Sequence, residues 1–181
     1  MCADIPTIPT ATRFVLIRHH TERNRTSNSG RLVAAALPNC DVHEYGLSDR
    51  PFDEAVLPRD SWLLFPPERD AVEQLTHRHT ILSGRDLAPP PAVVLLDGTW
   101  KQARKMCRKI GALDDFPRYQ VAPAAVPLRR MRRAPREGAL GTLEAVAQFL
   151  RTFETEEQAR QLERFYCQFA ARLRSGENWG R

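Results

Sequence analysis

Three short runs of the chain are apolar on both faces, a pattern typical of strands buried inside a parallel sheet. They cover residues 14–17, 62–65 and 93–96. Helical spacing of apolar residues follows each run, at 33–37, 70–77 and 99–110. This repeated order of strand and helix predicts one α/β domain with a mainly parallel sheet.

The C-terminal part of the sequence predicts two amphipathic helices. One apolar face consists of Leu143, Val146, Phe149, Leu150 and Phe153, and the other of Ala159, Leu162, Phe165, Phe169 and Leu173. Thr155 and Gln158 predict a capping box between the two helices. The expected domain covers 13–175, with a flexible N-terminus at 1–12 and a flexible tail at 176–181.

Residues 118–141 are expected to be irregular, because prolines interrupt the segment and five arginines fall within 129–136. A long structureless segment inside a compact domain is usually functional or mobile.

The charge balance is basic, with 27 Lys and Arg against 22 Asp and Glu, a formal net charge of +5. Most of the excess is arginine, whose planar guanidinium group suits phosphate. A polyanionic partner is one interpretation, and an ordinary solvated basic surface is the other.

The predicted helix at 99–110 strengthens the first interpretation. One of its faces is apolar, and the other carries Lys101, Arg104, Lys105 and Arg108. Like charges at this spacing destabilise a helix by about 0.2–0.5 kcal/mol per pair, and a bound polyanion would offset that repulsion. Further arginines at 18, 23, 25 and 31 add to the pattern. Together these cations indicate RNA or nucleotide binding.

Asp97 lies where the third predicted strand ends, followed by Gly98 and a capping-box signature of Thr99 with Gln102. The acid is therefore expected at the carboxyl edge of the sheet, where ligands bind in open α/β folds. The alternative is that Asp97 and Thr99 only cap a helix while Trp100 belongs to the core.

Two further polar stretches separate apolar runs. "RTSNSGR" at 25–31 offers hydroxyls, an amide and two guanidinium groups before a helix, and its alternative interpretation is an elaborate N-cap. "GTLEA" at 141–145 predicts Thr142 as an N-cap and Glu144 in the first turn, where the helix dipole favours an anion. Taken alone, that stretch is best explained by helix capping.

The cysteines and histidines predict no metal site. Cys2, Cys40, Cys107 and Cys167 form no C-x-x-C pair, and the five histidines lack ligand spacing. Free thiols fit a reducing cytoplasm. Neither a signal-peptide h-region nor a membrane-spanning apolar run occurs, so we expect a soluble, cytoplasmic protein.

Four motifs in order resemble the DTW-domain family of tRNA-uridine aminocarboxypropyltransferases. They are "TSNSGRL" at 26–32, "WLLFPPERDA" at 62–71, "LLDGTW" at 95–100 and "GTLEAVAQFL" at 141–150. The resemblance implies a SPOUT-like fold with a C-terminal knot formed by the segment that ends near Thr142. It also implies transfer of the 3-amino-3-carboxypropyl group of S-adenosylmethionine to N3 of a tRNA uridine.

The resemblance assigns residues to roles. Asp97, Trp100 and Glu144 are the implied catalytic residues. The implied cofactor site comprises Phe65, Pro66, Pro67, Glu68, Asp97, Gly98, Thr99, Trp100, Leu128 and Thr142. Implied RNA contacts, including the cations above, are Arg25, Asn28, Arg31, Lys101, Arg104, Lys105, Arg108, Arg129, Arg130, Arg132 and Arg133. No metal is implied by the motifs present.

Two departures from the family pattern are visible. Many members begin with a cysteine-rich segment that this chain lacks, and the more usual Thr-Asn-Thr-Gly is here Ser27-Asn28-Ser29-Gly30. The second change keeps the hydroxyl groups.

In the implied reaction, Asp97 is the obvious base for the N3 proton. Its position before a helix N-terminus predicts a depressed pKa, however, which favours an orienting anion over a base. Three alternative functions remain: a SPOUT-like RNA methyltransferase, a non-catalytic RNA-binding protein, and a basic domain for protein assembly.

Overall fold

The computed structural model describes residues 5–66, 81–84, 86–122, 128, 131 and 138–175. Six strands are found in these residues: β1 (Arg13–His19), β2 (Cys40–Tyr45), β3 (Ser61–Leu63), β4 (Ile81–Leu82), β5 (Ala92–Asp97) and β6 (Arg118–Tyr119). They form one sheet in the order β2-β1-β5-β3-β6-β4, and every paired strand is parallel to its neighbour. The prediction of an α/β domain with a mainly parallel sheet is confirmed.

Four α-helices belong to the described part of the chain: α1 (Gly30–Ala36), α2 (Trp100–Lys109), α3 (Thr142–Phe153) and α4 (Glu156–Arg174). Each lies where its apolar spacing predicts it. The capping box of Thr99 with Gln102 opens α2 as expected. The helix predicted at 70–77 lies outside the described residues.

The apolar composition of the central strands is explained by cores on both faces of the sheet. Val93 and Leu95 of β5 pack in one core with α1, α3 and α4. Val94 and Leu96 point to the opposite face and pack with α2. All residues of β5 are buried. Because the strands are parallel, their carboxyl ends meet at one edge of this sandwich.

Residues 5–12, part of the segment expected to be flexible at 1–12, contact the rest of the domain. The Ile8 side chain is fully buried, and its backbone N–H donates to the Ala36 carbonyl at 2.8 Å. The Thr12 N–H donates to the Glu154 carboxylate at 2.8 Å. This segment is therefore held against α1 and the connection between α3 and α4. Residues 1–4 and the predicted tail at 176–181 lie outside the described residues.

Strand β2 was not predicted, because its sequence CDVHEY is largely polar and every one of its residues is only partly buried. It is an edge strand that pairs with β1 alone. Strand β6 is likewise a correction, since 118–141 was expected to be irregular throughout. Two residues are too few for a hydrophobic period to reveal β6 or β4.

No helix within the described ranges is long and apolar enough to cross a membrane. Cys40, Cys107 and Cys167 are free thiols.

Candidate functional site

Asp97 is the last residue of β5 and lies at the carboxyl edge of the sheet. Strand β5 pairs with β1 on one side and β3 on the other, and Arg18 of β1 is the register partner of Asp97. The Asp97 side chain is almost completely buried, with 2% relative exposure. The site is therefore centred on a carboxylate enclosed by protein.

Two side chains from distant parts of the sequence hold this carboxylate. Asn28 Nδ2 donates a hydrogen bond to Asp97 Oδ2 at 2.8 Å, and Thr142 Oγ1 donates to Asp97 Oδ1 at 3.0 Å. The three residues belong to three of the sequence motifs and are 69 and 45 positions apart. Folding thus brings the three motifs together at one point.

Burial raises the pKa of Asp97 above its usual value, because desolvation disfavours the carboxylate. Hydrogen bonds from Asn28 and Thr142 and the charge of Arg18 oppose this effect, while the Glu22 carboxylate adds to it. The sequence-based expectation of a depressed pKa is wrong. Proximity to a helix N-terminus is outweighed by the removal of water from the carboxyl group.

Asn28 is placed differently from the surface contact that the resemblance implied. Its side chain has 2% relative exposure, and Oδ1 accepts the backbone N–H of Arg31 at 2.7 Å. The amide therefore caps the start of α1 with its oxygen and binds Asp97 with its nitrogen. Asn28 thus contributes to the start of α1, and it lies in the interior rather than at the surface, while the role of this stretch in a binding site stays a prediction.

Gly30, the first residue of α1, allows the helix to approach Asp97 closely. A Cβ atom added at Gly30 would lie 2.5 Å from Asp97 Oδ1 and 2.6 Å from Oδ2, well inside van der Waals contact. No residue with a side chain fits there unless Asp97 or α1 moves.

Helix α3 contributes Thr142 and Glu144, with a correction to the predicted cap. Gly141 is the N-cap and Thr142 is the first helical residue, so the Thr142 hydroxyl is directed to Asp97 instead. The buried Glu144 carboxylate accepts the Gly141 backbone N–H at 2.7 Å. This contact agrees with helix capping, which best explained this stretch when it was taken alone, and the catalytic role implied for Glu144 stays a prediction.

The Thr142 hydrogen bond can be tested by Thr142→Val, which preserves the side-chain shape and removes the hydroxyl. We expect the free energy of unfolding to fall by about 1–3 kcal/mol, since a buried anion loses one of its donors. Urea denaturation near neutral pH measures the loss. Thr152→Val is the matched control on the same helix, because the Thr152 hydroxyl donates to the Gln148 carbonyl at 2.9 Å. Equal losses in the two variants would contradict a special role for Thr142.

The beginning of α2 places Trp100 beside the loop that follows β3. The rings of Trp100 and Phe65 are 5.8 Å apart, and both residues contact the core on the α2 face of the sheet. Trp100 is partly buried, so it packs in the core and still has accessible surface. The packing agrees with the core interpretation of this tryptophan, and its contact with a ligand stays a prediction.

Other implied site residues are distributed as follows. Pro66 follows Phe65 at the end of β3, Gly98 and Thr99 join β5 to α2, and Leu128 packs at the margin of the core beside α1, α3 and α4. Pro67, Glu68, Arg129, Arg130, Arg132 and Arg133 lie outside the described residues.

The predicted cationic face of α2 is exposed to solvent. Lys101, Arg104, Lys105 and Arg108 are all exposed, and the buried residues of the helix lie on its opposite face. Arg25 is also exposed, and Arg31 is partly buried. A continuous basic helix face therefore begins directly beyond the turn that carries Asp97.

Sequence reasoning missed Glu22, which is fully buried beside Asn28. In the stretch "HHTERNR" an acid among basic residues looks like part of a solvated surface, so no signal in the sequence marked it. Gly30 was part of a quoted motif, but only the fold reveals its contact with Asp97. No group of three or more His, Cys, Asp or Glu in the described ranges could hold a metal ion.

The fold and site define a parallel α/β domain with a buried polar centre at the carboxyl ends of its middle strands, the edge where such domains bind ligands. The sequence matches the DTW domain family over residues 1–174, and the chain belongs to that family. The run Asp97-Gly98-Thr99-Trp100 lies within the matched residues.

A relative from Drosophila melanogaster, named tRNA-uridine aminocarboxypropyltransferase 2, is 29% identical over 170 residues. The match covers 88% of this chain and 64% of the relative. The chain therefore spans just under two thirds of the length of that curated protein. No solved structure matches the chain.

Proposed function

We propose that the protein transfers the 3-amino-3-carboxypropyl group of S-adenosylmethionine to N3 of a uridine in tRNA, releasing 5'-methylthioadenosine. The observation that carries the proposal is the buried Asp97 carboxylate, held by Asn28 and Thr142 at the carboxyl edge of the sheet. Membership of the DTW family and the name of the Drosophila relative support the reaction. The basic face of α2 supports the RNA substrate.

The reaction is a displacement at the carbon next to the sulfonium. A bond forms between uridine N3 and that carbon, the carbon–sulfur bond breaks, and its electron pair goes to sulfur, which becomes a neutral thioether. The N3 proton must leave, so the protein has to supply a base or a path to solvent. Alignment of nucleophile and carbon can supply about 7–11 kcal/mol of the barrier in favourable cases.

Asp97 is proposed to orient the uracil ring and to accept the N3 proton. Its raised pKa makes it a better proton acceptor than an ordinary aspartate. The hydrogen bonds from Asn28 and Thr142 stabilise the carboxylate form, so the group can still ionise before it accepts the proton. Each oxygen that accepts one of these bonds has a further lone pair for substrate.

The described part of the site fits S-adenosylmethionine chemically. Its adenine is an aromatic surface and its sulfonium a cation, and both interact favourably with aromatic faces. Phe65 and Trp100 provide such a pair of rings beside the ends of β3 and β5. We propose that these rings, with Pro66 and Gly98, line the binding site for the donor.

We further propose the SPOUT-like, knotted arrangement. The chain leaves the sheet after β6 at Tyr119 and returns at Thr142 to contact Asp97 at the end of β5. The segment between them would form the knot, and most of it lies outside the described residues. Its path is a prediction that rests on family resemblance.

The basic face of α2 is proposed to bind the RNA backbone. Replacing both Lys101 and Lys105 by Gln should weaken tRNA binding and reduce the slope of log affinity against log salt by about 1–2. Filter binding or fluorescence anisotropy at several salt concentrations measures that slope. Paired substitution of Arg160 and Arg164 by Gln is the control, since these exposed residues of α4 belong to the opposite face of the sheet. Equal slopes for the two double variants would contradict the assignment.

The function itself is tested by incubating the protein with S-adenosylmethionine and unmodified tRNA, followed by nucleoside mass spectrometry. A uridine that gains the aminocarboxypropyl mass, with release of 5'-methylthioadenosine, is the expected result. Release of S-adenosylhomocysteine would identify a methyltransferase instead. Salt-sensitive tRNA binding without any binding of S-adenosylmethionine would identify a non-catalytic RNA-binding protein.

A further inference from the structure

Glu22 is an acid that the proposed reaction does not use, and it is fully buried. It ends a short 3-10 helix, His20–Glu22, directly after β1, and its side chain has 0% relative exposure. Burial of an ionisable group is unfavourable unless other groups compensate for the lost water. A buried acid this close to Asp97 therefore calls for a structural explanation.

The Asn28 amide connects Glu22 to Asp97. Asn28 Nδ2 lies 2.8 Å from Asp97 Oδ2 and 3.5 Å from Glu22 Oε2, and its two hydrogens can serve one carboxylate each. The hydrogen bond that Oδ1 accepts from the Arg31 backbone N–H at 2.7 Å identifies the oxygen end of the amide, so its nitrogen faces the two carboxylates. A flipped amide would direct its oxygen at two carboxylates and its nitrogen at a donor.

Arg25 also lies beside Glu22. Arg25 Nε lies 3.5 Å from Glu22 Oε1, and the Arg25 side chain is half exposed. Backbone hydrogen bonds from Arg25 N to the Glu22 carbonyl and from Asn28 N to the Arg25 carbonyl join the three residues in successive turns. The loop from β1 to α1 thus places a surface arginine, a buried acid and the bridging amide in one connected unit.

We propose that Glu22 is a positioning residue that fixes the Asn28 amide and, through it, the orientation and charge of Asp97. Its importance for the rate rests on the proposed function, whereas its coupling to Asp97 does not. The charged, polar and titratable groups that act on the Asp97 carboxylate in the described part of the chain include Glu22, Asn28, Arg18 of β1, Cys40 of β2 and Thr142 of α3. Among these, Glu22 is the group whose negative charge opposes ionisation of Asp97.

Glu22→Gln and Glu22→Ala separate the charge of Glu22 from its hydrogen bond. Gln keeps an acceptor for Asn28 but lacks the charge, so Asp97 should ionise more readily. The acid limb of the single-turnover pH–rate profile should then move to lower pH, with the plateau rate within about 3-fold. Ala also removes the acceptor and should lower the plateau about 10- to 100-fold, the scale seen when a supporting residue misplaces a catalytic group.

In both variants the KM for tRNA should change much less than the rate does. The reason is that the buried Glu22 carboxylate is not at the proposed RNA-facing surface. Asp60→Asn is the control. This exposed acid directly precedes β3 and so lies at the amino ends of the strands, away from the carboxyl ends where Asp97 lies. A profile of Glu22→Gln that superimposes on that of the unchanged protein would overturn the proposal.

A double-mutant cycle on stability keeps this inference separate from the proposed function. Glu22→Gln and Asp97→Asn each relieve repulsion between the two acids, so near neutral pH the double variant should gain less stability than the two singles combined. The unfolding equilibrium constant of the double variant should differ several-fold from the value expected if the two single substitutions acted independently. If the two stability effects are non-additive but the protein transfers no aminocarboxypropyl group, the coupling of Glu22 to Asp97 is upheld and the proposed function is rejected. If the two stability effects are strictly additive, the coupling is rejected, whatever the activity.

Discussion

Asp97→Asn should lower the single-turnover rate of aminocarboxypropyl transfer by about 10²- to 10⁴-fold, the usual contribution of a positioned general base. The Asn oxygen can still accept the hydrogen bond from Asn28 at the position of Oδ2, and its NH2 group can donate to the Thr142 hydroxyl at the position of Oδ1, so the fold should be retained. It can neither accept the N3 proton nor carry the negative charge. Formation of 5'-methylthioadenosine in single-turnover assays measures the rate.

The same substitution should stabilise the folded protein at neutral pH. Because burial raises the folded-state pKa of Asp97, ionisation is harder in the folded than in the unfolded chain, and the unchanged protein loses stability as pH rises from about 3.8 through the folded pKa. The Asn variant cannot ionise and escapes that loss. Its advantage in free energy of unfolding should therefore grow across this window and then become constant.

Urea denaturation over a pH series, with Asp60→Asn as the control, measures this difference. The expected pair of results is lower activity with equal or greater stability, a combination typical of residues kept for function. An Asn variant with near-normal rates at every pH would eliminate both the base and the charge-pairing role. If the Asn variant were less stable than the unchanged protein at pH values above the folded-state pKa of Asp97, the raised pKa of Asp97 would be contradicted.

The main features of the fold could be predicted because they depend on local patterns. The two-sided apolar sequence of β5 reflects burial against cores on both faces, and the one-sided patterns of α3 and α4 reflect a single buried face. Strand β2 has neither pattern, since it lies at the edge and mixes polar with apolar residues. Residues 5–12 likewise owe their order to contacts with α1 and Glu154 that no local pattern encodes.

Only those residues of the candidate site that stand together in one short motif could be predicted from the sequence. Asp97 and the cap of α2 are visible in one short stretch. Thr142 looked like a helix cap because its partner in the site, Asp97, is 45 positions away. Glu22 has the sequence surroundings of a surface acid, and only the approach of Asn28 explains its burial. The direction of the Asp97 pKa shift also depended on burial, which is a property of the assembled fold.

The contact between α1 and Asp97 predicts a large effect for Gly30→Ala. The backbone φ of Gly30 is not in the positive region, so the substitution introduces no backbone strain and acts through space alone. The new methyl group would overlap both carboxylate oxygens of Asp97. Either the carboxylate or the start of α1 must move, and we expect either movement to disturb the hydrogen bond from Asn28.

Overpacking of this kind usually lowers the free energy of unfolding by about 1–3 kcal/mol, and a displacement of about 1 Å at a reacting group can lower the rate about 10²-fold. Gly111→Ala is the control, because the nearest side-chain atom to its added Cβ is an ordinary 3.6 Å away. Combining Gly30→Ala with Asp97→Ala removes the overlap, so stability should return while activity stays lost. If Gly30→Ala alone matched the unchanged protein in stability and rate, the close approach of α1 to Asp97 would not be a feature of the active protein.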